Sequence, residues 1–458
     1  MKKQCITLVA VLFGLTLFFS CNSNDDTGEN LTPGDLLTTV DNAHDIYFID
    51  SNTLYGVRDR QDPSSEGVGQ MEAFLEIAIP SVAPTVSTPV VISTSASSGT
   101  EAEGYTDKKL VVVSGDGIMY CYDIPSGNLL WELNLNGQVR GTPSFRTFRD
   151  QNTLNTYLYV GTTEGIFYCI DVLNESLVWA HEHPGRGGFV SSTTDNRTGI
   201  TSVGTSDGTI YTFNAEGGLL WEADNLGLLM LSKPALNMVP VNGGLGYELS
   251  SVIGSTMDGT LFSLDGATGN QIWSQNLDGS PLIAAPYLFP IIGGTLTTDS
   301  FYVNTFLGKV YNVSMQDGSI LETVGLDAPI SSSPSRLPGD QLRSQNDFIY
   351  ASSEKTLYAL DRIQGGQEVW SLPLDPPVYA TPNIVPSANN GTGLRCYINT
   401  ISGLYGINAV TGTIFSEYEL PGFTPTQTEN LNYQISPVVI YVEPDTGITE
   451  VYHPNNIL

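Results

Sequence analysis

Apolar residues recur along this chain in short runs rather than in helical periods. One run repeats throughout: an apolar residue, an aromatic, a small residue, an apolar residue, then Asp or Asn. It stands as Met119-Tyr120-Cys121-Tyr122-Asp123, Phe167-Tyr168-Cys169-Ile170-Asp171, Ile210-Tyr211-Thr212-Phe213-Asn214 and Leu261-Phe262-Ser263-Leu264-Asp265. It returns as Val310-Tyr311-Asn312-Val313-Ser314, Leu357-Tyr358-Ala359-Leu360-Asp361 and Leu404-Tyr405-Gly406-Ile407-Asn408, with an early copy at Leu54-Tyr55-Gly56-Val57-Arg58. Of these eight copies, seven carry Tyr at the second place. Apolar residues occupy both alternation classes, so each run predicts a strand buried on both faces.

Turn signals such as Ser206-Asp207-Gly208 and Met257-Asp258-Gly259 precede the runs, which is hairpin chemistry. A second turn and a further strand follow, and all five tryptophans fall in that strand: Trp131, Trp179, Trp221, Trp273 and Trp370. Glu322, Ser416 and the Phe74–Leu75 neighbourhood occupy the same place in the other copies. A third strand opens at Pro89, Pro143, Pro234, Pro286, Pro334, Pro382 and Pro437, with Ser191-Ser192 standing in for the missing copy. Proline at a strand's first residue costs no ladder hydrogen bond. Four short strands per repeat and eight repeats predict an all-β, eight-bladed β-propeller of four-stranded antiparallel blades. The first copy lacks its own Pro-headed strand, whereas the chain ends with a spare one at 435–441. That strand is expected to complete the first blade and close the ring.

The combined motif, Asp, then Thr/Ser-Gly, then Trp four residues on, stands as Asp123-Ile-Pro-Ser-Gly127-Asn-Leu-Leu-Trp131 and Asp265-Gly-Ala-Thr-Gly269-Asn-Gln-Ile-Trp273. It resembles the pyrroloquinoline-quinone-like propeller repeat, over nearly all of residues 45–445. The resemblance implies that the five tryptophans are blade-packing elements, and it is specific for fold rather than function.

The N-terminus changes the picture of where the propeller works. Met1-Lys2-Lys3 followed by the apolar run Ile6–Phe19 and Ser20-Cys21 reads as a signal peptide over residues 1–20. It resembles a bacterial lipoprotein signal, which implies lipidation of Cys21. A polar tether over residues 21–44 would then lead to a propeller over 45–458. Its acidic start also resembles the surface-export signal of Bacteroidota lipoproteins. The expected location is the outer membrane, held by the lipid alone, on the periplasmic or cell-surface side.

Composition narrows the partners. Eighteen Lys and Arg stand against 48 Asp and Glu, a net charge of −30, so nucleic acid and anionic lipid surfaces are poor partners. With four histidines, a multi-His metal centre is not expected, and His181-Glu182-His183 lacks a third ligand. Cys121 and Cys169 share one repeat position in neighbouring blades, whose sheets lie about 10 Å apart, beyond disulfide reach. They read as small buried residues, equivalent to Gly56, Thr212, Ser263 and Ala359. Neither a Gly-x-Ser-x-Gly elbow nor a phosphate-binding glycine loop is present.

Three functional classes remain. A quinone-dependent dehydrogenase would need, by resemblance, an adjacent Cys pair and a calcium cluster that the sequence lacks, so no cofactor, metal or catalytic residue is expected. A BamB-like, lipid-anchored scaffold for protein partners fits the eight blades, and a monomer is expected. The alternative is a cell-surface protein that binds glycan or another extracellular ligand. For it, Arg140, Arg186 and Lys233, with Phe189 and Tyr379, are the candidate ligand or partner patch before the inner strands.

Overall fold

The computed structural model describes residues 44–452, apart from 51, 62–66, 84, 86, 94–107, 125, 151–152, 186, 228–231, 242–245, 289–299, 331, 337–346, 363, 375–377, 379, 387–393, 422–435 and 443–448. Cys21, Arg186 and Tyr379 therefore lie outside the described residues. The strands form eight antiparallel sheets, one per repeat, arranged as an all-β, eight-bladed propeller. Blade 2 runs from inner to outer edge as Val90–Ser93, Lys108–Val113, Ile118–Asp123 and Leu129–Asn134. Blade 3 is Ser144–Asp150, Thr153–Gly161, Ile166–Asp171 and Ser176–Glu182; blade 4 is Phe189–Thr194, Thr201–Thr205, Ile210–Phe213 and Leu219–Ala223. Blade 5 is Ala235–Val241, Gly246–Ser255, Thr260–Asp265 and Gln271–Asn276. Blades 6 (Ser300–Thr305, Lys309–Ser314, Ile320–Gly325) and 7 (Phe348–Ser352, Thr356–Asp361, Gln367–Pro373) have three strands each among the described residues. Their Pro-headed segments make single bridges, Tyr287 to Tyr302 and Ser335 to Tyr350, where a full strand was expected. Blade 8 is Asn383–Pro386, Leu394–Thr400, Gly403–Asn408 and Ile414–Glu419.

Burial falls from the repeat strand outward. Ile210–Phe213 is buried throughout, whereas Leu129–Asn134 buries only Trp131, half-buries Leu133 and exposes the rest, as an outermost strand should. The registers explain the repeat's small residue. Trp131 lies opposite Cys121, Trp179 opposite Cys169, Trp221 opposite Thr212, Trp273 opposite Ser263 and Trp370 opposite Ala359. Glu322, Ser416 and Leu75 lie opposite Asn312, Gly406 and Gly56. In each blade a bulge follows that small residue, so the outer strand turns its large side chain toward the next blade. There it meets a turn glycine. A Cβ on Gly269 would lie 2.7 Å from the Trp221 ring, one on Gly318 2.6 Å from Trp273 and one on Gly412 2.6 Å from Trp370. These glycines have φ near +70°, so the turn and the ring contact both require glycine. The indole N–H of Trp221, Trp273 and Trp370 donates to the Gly266, Met315 and Ala409 carbonyls of the following blade, at 2.8, 3.0 and 3.1 Å.

The repeat tyrosine pins the same interfaces from the other end of the strands. Tyr120 donates its hydroxyl to the Pro80 carbonyl at 3.0 Å and Tyr168 to that of Leu135 at 2.8 Å, each in the loop leaving the preceding blade. Tyr311 reaches Asp278 in the same way at 3.2 Å. Losing one such hydroxyl should cost about 1 kcal/mol. Cys121, Cys169 and Cys396 are free and buried, and burial pushes the first two thiols up to about 12.

Ring closure is as expected and also goes further. The C-terminal strand Val438–Val442 pairs with His44–Asp50, which continues to Thr53–Asp59 and Glu72–Ala78 as blade 1. Thr449–Tyr452 adds a fifth strand beyond the terminal one. A second closure lies at the outer rim, where Gly69–Gln70 pairs in parallel with Ile414–Glu419 of blade 8. Serine at residue 416, the tryptophan place, leaves room that Met71 fills, and its methyl group comes over Gly406. Between these closures a buried carboxylate holds the seam. Asp59 Oδ2 accepts from the Tyr397 hydroxyl at 2.7 Å, the Ser416 hydroxyl at 2.9 Å and Arg395 Nη1 at 3.2 Å. Arg395 lies over the Phe415 ring, and beside it Arg58 grips Asp45 with two hydrogen bonds.

Candidate functional site: the turn-bearing end of the ring

One end of the propeller carries the turns between each blade's second and third strands, together with the loops that lead from blade to blade. Three turns share the form Ser/Thr-x-Asp-Gly: Ser114–Gly117, Thr205–Gly208 and Thr256–Gly259. In each, the first hydroxyl donates to the aspartate, as Thr205 does to Asp207 at 2.6 Å, and positive φ at the closing glycine completes the turn. For Asp258 the Thr256 hydroxyl is the main influence that lowers the carboxyl. Burial alone would raise Asp116 and Asp207, but hydrogen bonds from Ser114 and Ser81, and from Thr205 and His183, hold both below the usual range. Their stabilisation is complete above the ordinary carboxylate value and is lost as pH falls through and below it. Asp207→Asn should therefore flatten the decline of the denaturation midpoint between about pH 5 and pH 3, measured against the parent.

Histidine 183 belongs to this end. Its Nε2–H donates to Asp207 at 3.0 Å and its Nδ1 accepts the Tyr211 hydroxyl at 2.7 Å, so its two nitrogens tie blade 3 to blade 4. His181 packs its ring against Tyr211 and Phe213 instead. The two histidines of the His-Glu-His tripeptide thus make different packing contacts.

Inside the turns runs a girdle of hydroxyls, which accounts for Ser or Thr before the strand-opening proline. The Ala285 N–H donates to Ser333 Oγ, Ser333 N–H to Thr381 Oγ1, Thr381 N–H to Ser436 Oγ and Ser436 N–H to Thr88 Oγ1, at 3.0 to 3.2 Å. Thr142 N–H donates to Ser191 Oγ in blade 4 at 3.0 Å. Lysine 233 stands at the hydroxyl's place in blade 5, half-buried, and desolvation pulls its ammonium down to about 7. Because the unfolded chain holds that proton up to its ordinary value near 10, folding stability should rise as pH goes from 7 to 9. Lys233→Met should remove part of that rise in urea titrations at the two pH values.

Three members of the candidate patch are among the described residues. Arg140 is exposed at this end, and Lys233 is half-buried two blades away. Phe189 presents no aromatic surface: it is 1% exposed, with its ring among Phe167, Tyr211 and His183. The loop position itself turns inward: the Phe189 N–H bonds the Thr162 carbonyl as the Leu282 N–H bonds that of Thr256, and Leu282 is likewise buried although its blade keeps Pro286. What sequence reasoning missed is the turn Thr305-Phe306-Leu307-Gly308, which displays two apolar side chains on this end. Alignment of the eight turns by repeat position would have found it.

Residues 81–223, 148–282 and 206–377 match the family model described as outer membrane protein assembly factor BamB. The class is therefore a propeller of pyrroloquinoline-quinone-like repeats, and the chain belongs to the BamB family. Among solved structures, BamB from Moraxella catarrhalis is similar at a TM-score of 0.50 and 16% identity, covering 81% of this chain and 99% of that one. A computationally designed protein, Ika8, is similar at a TM-score of 0.52 and 14% identity, over 81% of this chain and 96% of its own. At these identities the likeness is one of fold. No curated protein matches the sequence.

Proposed function

We propose that the protein is a non-enzymatic scaffold, anchored to the outer membrane through lipid on Cys21, that docks protein partners of outer-membrane protein assembly from the periplasmic side. The observation that carries this reading is membership of the BamB family over residues 81–377. Physical support comes from the site. The turns of one end are fixed by internal hydrogen bonds and by contacts to the next blade, so they form a rigid display of loops suited to recognition. The Asp207, His183 and Tyr211 side chains, which would otherwise suggest acid–base chemistry, are committed to one another across a blade interface.

Protease shaving of intact cells tests the side of the membrane: the propeller should survive, and be digested once the outer membrane is permeabilised. Digestion on intact cells would replace this reading with extracellular ligand capture. Added pyrroloquinoline quinone and calcium should give no dye-linked alcohol or sugar oxidation above a boiled control; turnover would refute the non-enzymatic part.

A further inference from the structure

Blade 6 departs from its siblings at one turn. Thr305-Phe306-Leu307-Gly308 keeps their backbone, with Gly308 N–H on the Thr305 carbonyl at 3.0 Å and φ of +84° at Gly308. Yet Leu307 stands where Asp116, Glu164, Asp207 and Asp258 stand in blades 2 to 5. The carboxylate lost from the turn is supplied by the preceding loop, because Asp278 accepts from Thr305 Oγ1 at 3.4 Å and from Tyr311 at 3.2 Å. The fold thus satisfies its polar groups without needing leucine at residue 307. Leu307 is 66% exposed and Phe306 37%. Both are held in place: Phe306 N–H donates to the Pro281 carbonyl and Leu307 N–H to Ser280 Oγ, each at 2.9 Å. A rigid apolar knob on a polar surface is the arrangement of a binding hot spot, since little ordering entropy remains to be lost.

The surroundings say what it fits. Asp258 and Asp327 are exposed on either side, Glu354 is half-exposed in the next blade, and Asp278 lies beneath. Burial would raise the Asp327 carboxyl, but hydrogen bonds from Ser353, Tyr358 and Thr356 outweigh it and keep the charge in place. Two lysines lie near: Lys309, which pairs with Asp278 at 3.5 Å, and exposed Lys355. Four carboxylates against two ammoniums leave the rim negative, which disfavours anionic lipid and favours a basic surface. The strand beginning at His44 enters at the opposite end of the ring from this turn.

We propose that Phe306 and Leu307 form a docking knob for a protein partner that presents an apolar pocket bordered by lysines and arginines. The proposal rests on the scaffold reading and names the surface and the partner chemistry that reading leaves open.

The test is photocrosslinking in the protein's own cells, with benzoylphenylalanine placed in the full chain at residue 306, and at residue 220 on the outer rim of blade 4 as a control. The expected result is an adduct from residue 306 to another protein, mapped by mass spectrometry to apolar residues flanked by Lys or Arg. Leu307→Asp should cut its yield at least tenfold. That change restores the form of the sibling turns, so it leaves the fold intact, which an unchanged melting curve checks. Glu354→Lys should lower the yield severalfold. A yield insensitive to Leu307→Asp overturns the proposal, as does an adduct to an acidic surface, to lipid or to a second copy of this chain. Adducts from residue 220 alone also overturn it while leaving the scaffold reading standing; adducts from neither position count against both.

Discussion

Replacing Asp59 by Ala should cost the propeller about 3–5 kcal/mol, the penalty for leaving a buried charge without its partner. Arg395, Tyr397 and Ser416 all direct polar hydrogens at one Asp59 oxygen, and all four residues are at most 1% exposed. Removing the carboxylate takes the counter-charge from a buried guanidinium and the acceptor from the Tyr397 and Ser416 hydroxyls. The loss should concentrate at the closure: hydrogen exchange should rise first in Gly69–Gln70 and Ile414–Glu419, ahead of blades 3 to 5. The pair Asp59→Asn with Arg395→Met should be less destabilised than the sum of the single changes, because it deletes both charges together. A denaturation midpoint for Asp59→Ala equal to the parent's would contradict the lock.

The second large effect is expected at a blade interface. Trp273→Ala should destabilise by roughly 3–5 kcal/mol. The indole covers Gly318 and stacks beside Phe301 at 6.3 Å, and its N–H is satisfied by the Met315 carbonyl. Trp273→Phe should recover most of the packing but lose that hydrogen bond, leaving about 1 kcal/mol uncompensated. Gly318→Ala attacks the same contact from the partner side: its Cβ would meet the indole, and φ of +72° disfavours any side chain. Midpoints of urea denaturation for the three variants test the ranking, with Trp273→Ala and Gly318→Ala both well below Trp273→Phe. A Trp273→Ala midpoint within error of the parent's would rule out the interface role of the indole.

These two sites differ in how far the sequence announces them. The tryptophan contacts are repeated, so Trp131 to Trp370 align with one another and with the turn glycines, and repetition alone exposes their register. The seam occurs once. Asp59 and Arg395 are 336 residues apart, Asp59 next to Arg58 at the end of one strand and Arg395 the single charge in another, and nothing local distinguishes them from surface charges. The same holds for Met71, which substitutes for a tryptophan that blade 8 lacks from a segment belonging to blade 1. At the turn-bearing end, the loop position of Phe189 was legible but its direction was not, because that is set by its backbone bond to Thr162 in the preceding blade, which no local pattern marks. Leu307 was legible only as an exception, visible once the sibling turns had shown what the position normally holds.

A ring that works by holding other proteins at the outer membrane should bring those proteins with it when it is isolated. Affinity purification of the tagged full-length chain from detergent-solubilised envelopes, with untagged cells as the baseline, is the direct test. Components of the outer-membrane protein assembly machinery should co-purify well above that baseline, and Leu307→Asp should weaken their recovery. Recovery of the propeller intact and abundant, with none of those components enriched, would overturn the scaffold function.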